Sequence, residues 1–452
     1  MRGRKFLVWI GLALVLANCG GDDTSSSTSR VSVSAGQESF TWGSDVRSYE
    51  IRLTGSASWS VKSDASCRNW CYPVKESGNS SSIPLWISPN ITDKARSGKV
   101  TVTIEGRAQT INVSQPAFSG DLDEYVYHLP VVFHVLYKNA KDQTQNAPQS
   151  QFTKILNAVN KLYANNKMNI VFEMTKYDDD GELLAEPGII RHQVSFDELD
   201  ASDFLGSTDE KYEKFVDDQL NLKKCINIFM FPFAQEGEKG ISLGQTLLPL
   251  ATSANSLEGL YVSDAVNDYA YLNQVWGVCI NSAFINEWQD NQHINDRYIV
   301  STVAHELGHY LGLLHTFSEN ECEDDDYCDD TNVSDYNEYF AYITNYMKKE
   351  LKANPDRIFT IDEVATRTDC KTGEEFVARN ILDYNYTTNE EFTRDQFRRT
   401  RFVLEYSPLV PGPKLVDYNT TGKVLRAAPA TLNLPRPRPC PSVPKRSGTI
   451  LR

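Results

Sequence analysis

Three of the chain's seven histidines fall within eleven residues, in the run His305-Glu306-Leu307-Gly308-His309-Tyr310-Leu311-Gly312-Leu313-Leu314-His315. No other stretch constrains local structure as tightly. On an α-helix, at about 100° per residue, His305 and His309 project roughly 40° apart, so both imidazoles can reach one ion. The helix is read independently from its apolar positions. Val300, Val303, Ala304, Leu307 and Leu311 form one stripe, with the two histidines on its far side. Gly312 lets the chain leave the helix, because glycine tolerates left-handed backbone angles, and the turn can bring His315 back as a third ligand. Neutral imidazoles suit Zn²⁺, and three of them leave a fourth position for water. Glu306 points elsewhere on the helix, toward a metal-bound water rather than the metal. Its expected role is general base, then proton shuttle to a leaving amine. The spacing also differs from zinc sites that take a distant Glu as third ligand, which have no need of Gly312 and His315.

The two ends of the chain read as an address and a tail. Arg2, Arg4 and Lys5 precede an apolar run from Phe6 to Ala17. Twelve helical residues span only ~18 Å, too short for a ~30 Å hydrocarbon core, so 1–18 reads as a signal peptide. Residues 19–29, rich in Ser, Thr and Asp, read as a flexible tether. No later stretch is long and apolar enough to cross a membrane. After Pro408, Pro, Arg and Lys dominate, and 408–452 reads as a disordered or loosely wrapped tail. The net charge of −15 and a pI near 5.0 give no electrostatic reason to expect a nucleic-acid partner.

Between the ends the texture changes once. In 30–116, Val100, Val102 and Ile104 alternate with threonines, and Ile111 and Val113 repeat the pattern, as in half-buried strands of a small β-sandwich. A linker is expected at 117–124. From Tyr125 to Ser407, Leu129 to Tyr137 reads as a strand covered on both faces, and Phe152 to Tyr163 as an amphipathic helix. Cys225 to Met230 and Val275 to Phe284 read as further strands. The expected fold class is multidomain, a β-sandwich followed by an α/β (α+β) domain of mixed sheet and active-site helix.

Several of these segments resemble known families. The sequence Leu16-Ala17-Asn18-Cys19 resembles a bacterial lipobox, which implies a lipidated Cys19. The following Gly20-Gly21-Asp22-Asp23 resembles the export signal of surface lipoproteins in Bacteroidota. That resemblance implies an outer-membrane lipoprotein facing the cell surface, with a lipid anchor as its only membrane contact. Trp59, Trp86, Arg96-Ser97-Gly98 and Val113-Ser114-Gln115 resemble a BACON domain, an Ig-like module. The zinc motif, its continuation His315-Thr316-Phe317, the loop Asp326-Tyr327-Cys328-Asp329-Asp330-Thr331 and the segment Asn380-Ile381-Leu382-Asp383-Tyr384 resemble the metzincins, and among them the pappalysin family. Phe392-Thr393 and Gln396 are family-like as well. The resemblance implies a zinc endopeptidase with His305, His309 and His315 as ligands and Glu306 and Tyr384 as catalytic residues. Tyr384 matches a tyrosine whose hydroxyl stabilises the tetrahedral oxyanion. Leu382 departs from the family's Met, an apolar floor under the histidines. Leu is of similar volume, and such swaps usually cost under ~1.5 kcal/mol.

Eight acids lie between Glu319 and Asp330. Such a run is either a solvated loop or, with hard oxygen ligands close together, a Ca²⁺ site. The resemblance implies calcium near this loop, with Asp326, Asp329, Asp330 and Thr331 as candidate ligands. An exported chain permits disulfides. Cys67 and Cys71 are close enough to pair or to supply two sulfurs to a metal, and Cys225 can meet Cys279 across two strands. Cys322, Cys328 and Cys370 bracket the acidic loop and the Leu382 approach, where the resembling family has disulfides. His128, His134, His192 and His293 lack ligand spacing and read as structural or surface residues. Two functions follow: a surface-tethered zinc endopeptidase acting on proteins or peptides, or an adhesin that binds mucin or glycan through the first domain and keeps an idle zinc site. Trp59 and Trp86 are sugar-stacking residues in the second reading and core residues in the first.

Overall fold

The computed structural model describes residues 31–234, 242–264, 272–288, 293, 298–384, 386–416, 440–441 and 450–451. The expected signal peptide and the tether with Cys19 lie outside the described residues, as does most of the tail.

Alternation along the first segment builds two sheets. One holds five strands, β1 (Ser39–Thr41), β3 (Trp59–Ser63), β5 (Ser77–Gly78), β7 (Arg96–Ile104) and β8 (Arg107–Gln115), in the order β1-β8-β7-β3-β5. The other holds β2 (Ser48–Arg52), β4 (Cys71–Pro73) and β6 (Ser82–Ile87), in the order β2-β6-β4. Strands β7 and β8 pair along their whole length. Their connection, Glu105-Gly106, has φ of 48° and 80°, the positive values a two-residue hairpin needs to match strand twist. Inward residues of both sheets, Ile51, Ile83 and Leu85 from one and Trp59, Val61, Val100, Val102 and Ile111 from the other, form a single buried cluster.

The second region is organised by β9 (Tyr127–Tyr137), flanked on one side by β10 (Ile170–Met174) and β11 (Ile189–Gln193). Its other side pairs with β12 (Ile226–Phe231), which pairs in turn with β14 (Val278–Asn281). All these pairings are parallel, which explains the near-continuous apolar runs: a parallel sheet is covered on both faces. Strand β13 (Ser242–Thr246) runs antiparallel to β14 and makes the sheet mixed. Helix α1 (Gln149–Asn165) buries Phe152, Ile155, Leu156 and Val159, as its 3.6-residue period requires. Helix α2 (Ile299–Tyr310) packs on α1, β13 and β14, and all its residues are buried. The expected apolar stripe accounts for one face only. The other is closed by residues from the last third of the chain, including Ile381, Leu382 and Val403.

Two further long helices, α3 (Tyr336–Ala353) and α4 (Arg394–Tyr406), lie in this region. Helix α4 starts with a reciprocal cap between Thr393 and Gln396. The Gln396 side chain also pairs with Asn380, whose Oδ1 accepts from the Leu382 amide at 2.9 Å. The family-like Thr393 and Gln396 thus act at a distance on the Leu382 turn.

The two regions touch directly. Lys75 pairs with Glu182, the Trp86 ring meets Tyr177 edge-on at 6.1 Å, and the Lys224 ammonium lies 5.2 Å from the Tyr72 ring centre. Gly181, at φ 74°, approaches Val74 so closely that a Cβ would collide with it. The expected linker forms a short 3-10 turn at Leu122–Glu124, and Arg401 donates to the carbonyls of Leu122 and Tyr125.

The tail departs from the expectation of disorder at three described places. Leu409 and Val410 are buried, and Lys414 Nζ donates to the Leu404 carbonyl at 2.6 Å. Strand β15 (Cys440–Pro441) pairs antiparallel with β13, and Ile450–Leu451 pairs parallel with Phe359–Thr360. The first pairing extends the edge of the mixed sheet, and the second forms a two-stranded sheet of its own.

Candidate metal centre and peptidase site

Helix α2 presents His305 and His309 one turn apart. The helix ends at Leu311, and Gly312 adopts φ 91°, so the chain reverses as expected. His309 Nδ1 donates to the Leu313 carbonyl at 2.8 Å, and His305 Nδ1 donates to the Ile381 carbonyl at 2.7 Å. These bonds fix each ring's tautomer and leave its Nε2 without a proton. His309 Nε2 lies 2.9 Å from His305 Nε2 and 3.0 Å from His315 Nε2. Bare lone pairs repel at such distances unless a cation lies among them. The donor set therefore fits a divalent ion that accepts neutral imidazole, and zinc is consistent with it. Burial pushes His305 well below the usual histidine range and His309 down to about 4, so both rings are neutral at pH 7.

Glu306 is buried, and desolvation pushes its carboxyl up to about 8, against a smaller opposing effect of the Thr246 hydroxyl. That hydroxyl lies 2.6 Å from Oε2. The His315 ring stacks on Phe317 at 4.6 Å, and the Tyr384 ring lies 4.5 Å from His315 and 5.7 Å from His305. Leu382 is buried against the helix at Gly308, between the first two histidines, where a Cβ on that glycine would meet its Cδ2 at 3.2 Å. The leucine thus fills the floor position expected of it.

Sequence reasoning missed the groups that hold this turn. Arg367 is buried, pairs with Asp383 and donates to the Tyr384 carbonyl at 2.6 Å, while Asp383 Oδ1 accepts from the Tyr384 amide at 2.7 Å. Arg399 donates to the Gly312 carbonyl at 2.7 Å and holds the reversal. Nothing in the spacing of these arginines marks them. No expected element covered Gly244 and Thr246, which lie against Glu306.

The acidic loop does not gather the expected calcium ligands. Asp326 is buried, and its Oδ1 accepts from Thr331 Oγ1 at 2.9 Å and from the Cys328 amide at 3.2 Å. Asp329 and Asp330 are exposed, and Asp330 Oδ2 accepts from the Asp395 amide at 3.0 Å. Among the described residues, His305, His309 and His315 form the one group of three or more His, Cys, Asp or Glu within reach of a common ion. Calcium is therefore unsupported. Burial pushes Asp326 up to about 6, toward a neutral carboxyl.

The cysteine expectations also need correction. Cys322 and Cys370 form a disulfide, whereas Cys67, Cys71, Cys225, Cys279 and Cys328 are free and buried. Cys67 and Cys71 sit one helical turn apart as thiols, with Cys67 Sγ donating to the Lys99 carbonyl at 3.2 Å. Cys225 precedes β12, while Cys279 stands opposite Phe229, four residues further along, so they lie ~13 Å apart along the sheet. Of the remaining histidines, His134 is buried between His192 and Asn227, and His128 contacts Glu173. Trp59 is a core residue with its Nε1 donating to the Ser80 carbonyl, and Trp86 packs at the contact between regions.

Comparisons with known proteins agree with this site. Residues 270–405 match the peptidase family described as pregnancy-associated plasma protein-A, the pappalysins, and residues 57–116 match BACON, described as a putative N-terminal binding domain. No curated protein matches the chain. Among solved structures, a Bacteroides ovatus GH5 xyloglucanase in complex with a XXXG heptasaccharide is 16% identical, with 46% of this chain and 38% of that chain covered at a TM-score of 0.18. This chain thus spans well under half of that enzyme's length. An NMR structure of a Bacteroides thetaiotaomicron protein is 16% identical over 20% of this chain and 86% of that one, at a TM-score of 0.16. One from Bacteroides vulgatus ATCC 8482 is 22% identical over 20% and 94%, at 0.15. These likenesses are too slight to define the fold. By its family matches, the chain carries a pappalysin-type peptidase region at 270–405 and a BACON domain at 57–116.

Proposed function

We propose that this chain is a zinc-dependent endopeptidase acting on proteins or peptides outside the cell. The observation that carries the reading is the convergence of three imidazole Nε2 atoms, two with their protons committed to carbonyls, beside a buried carboxylate on the same helix. Zinc held by His305, His309 and His315 would supply a Lewis acid for a carbonyl and lower the pKa of a bound water. Glu306 takes the proton from the attacking water and passes it to the leaving amine. Tyr384, its backbone clamped by Arg367 and Asp383, stands with its ring beside His315, and its hydroxyl would stabilise a developing oxyanion. Leu382 keeps the floor beneath the helix apolar at Gly308.

Export and a lipid anchor at Cys19 belong to the same proposal. The Cys322–Cys370 disulfide supports an oxidising compartment. The BACON domain, docked on the second region through Trp86 and Lys75, would stand between the anchor and the peptidase. The adhesin reading is weaker, because the residues that motivate it are occupied in packing: Leu382 fills the floor, and Trp59 is core. The test is hydrolysis of casein by zinc-loaded protein, with Glu306→Gln as control. The proposal expects cleavage by the parent and a loss of at least ~100-fold in the variant. Cleavage by the variant at the parent rate would overturn it.

A further inference from the structure

The antiparallel strand β13 does more than close the sheet beside α2. Residues two apart on a strand share a face, so Gly244 and Thr246 point the same way, while Gln245 points opposite and contacts Ser202. That shared face meets Glu306. Thr246 Oγ1 lies 2.6 Å from Glu306 Oε2 and 3.2 Å from the Glu306 carbonyl. A Cβ placed on Gly244 would fall 2.6 Å from Oε1 and 2.5 Å from Cγ of the same side chain. One oxygen of the carboxylate is therefore held by a hydroxyl, and the other occupies space that only glycine leaves open.

We infer that Gly244 and Thr246 form a cradle that positions the Glu306 carboxylate, with Thr246 its polar contact and Gly244 its clearance. The inference rests on the endopeptidase reading and adds to it two positioning residues on a different element from the zinc motif. Helix α2 alone does not fix the carboxylate. The side chain has rotatable bonds, lies in a buried site, and finds its partner sixty residues upstream. The Thr246 hydroxyl has two acceptors on Glu306 within reach, and the shorter contact assigns its one proton to Oε2. Register makes the cradle specific. Gly244 stands opposite Ile280 and Thr246 opposite Val278, so a slip of one residue would present Gln245 to the glutamate.

The test uses full-length protein in five forms: parent, Thr246→Ser, Thr246→Val, Glu306→Gln and the double variant with both Thr246→Val and Glu306→Gln. Bound zinc, kcat and KM on a peptide substrate, and the crystallographic position of the Glu306 carboxylate are measured for each. The expected result for Thr246→Val is a kcat lower by roughly 10–100-fold with KM nearly unchanged. Zinc stays at the parent level and the carboxylate is displaced. Thr246→Ser should restore most of the rate, and Thr246→Val should add nothing once Glu306 is gone, since the two act as a unit. Parent-like kcat and an unmoved carboxylate in Thr246→Val would overturn the inference, as would equal losses in the Ser and Val variants. Failure of the zinc-loaded parent to cleave would instead count against the endopeptidase reading, while the carboxylate position in Thr246→Val would still decide whether the cradle exists.

Discussion

The two regions of this molecule bury different chemistry. The core of the first is Ile, Leu, Val, Trp and two thiols, with only Ser63, Asn90 and Gln115 buried as polar residues. The second buries His134, His192, His305, Glu306, His309, Asp326, Arg367, Asp369, Asp383, Arg399 and Arg401. Burying an ionisable group costs free energy unless it is paired, hydrogen-bonded or neutral. A region that only packs avoids that cost. The second region accepts it. His305, Glu306 and His309 lie on α2, and Arg367, Asp383 and Arg399 hold the turns beside it. His134 and His192 pair with each other, and Asp326, Asp369 and Arg401 tie down loops and the linker. Buried ionisable groups therefore concentrate in the second region, and the candidate site holds a share of them.

The largest effect that can break this contrast is removal of one partner from the buried pair. Arg367→Met should cost about 3–5 kcal/mol of stability, because Asp383 is left as an uncompensated buried charge. Denaturant unfolding measures it, and a change below ~1 kcal/mol would mean the clamp is incidental. The second effect has the opposite sign. Burial raises the Glu306 carboxyl to about 8 from a value near 4.5 in an unfolded chain. Its favourable neutral state is complete below pH 4.5 and is lost as pH rises through 8. Metal-free Glu306→Gln should therefore be more stable than its metal-free parent, by an amount growing between about pH 5 and 9 to the order of a few kcal/mol. Zinc should shrink the gap by favouring the ionised carboxyl. Thermal unfolding at several pH values reads it.

In the first region no such pH dependence is expected. Ile111→Val should cost ~1 kcal/mol, by lost packing alone and equally at about pH 5 and 8. The smallest effect concerns the floor beneath the histidines. Leu382→Met should change stability by less than ~1.5 kcal/mol and leave zinc affinity and kcat near the parent values. A large gain in kcat would show that leucine is a functional handicap.

What could be read in advance follows the same division. Period-two alternation in Val100 to Ile104 and the long apolar run of β9 are local signals, and both elements stand where they were expected. The candidate metal-binding histidines were legible because all three sit in one short run whose helix and turn are dictated locally. Thr246, Gly244, Arg367 and Asp383 were not, since each acts on a residue at least sixteen positions away or on a turn made by another segment. Cys225 and Cys279 failed as a pair because strand register, not proximity in a pattern, decides which residues face each other. The calcium expectation failed because a run of acids in sequence need not converge in space. Asp326 turns inward, and its neighbours remain at the surface.

The central claim is that the three histidines hold one zinc and that Glu306 performs the proton transfers beside it. Titrating zinc into metal-free protein while recording bound metal and peptide cleavage tests it most directly, with Glu306→Gln run in parallel. Cleavage in the parent should rise in proportion to occupancy and level off at about one equivalent, with the variant binding zinc equally and cleaving at least ~100-fold more slowly. Cleavage by the metal-free parent, or a zinc-loaded variant as fast as the parent, would contradict it.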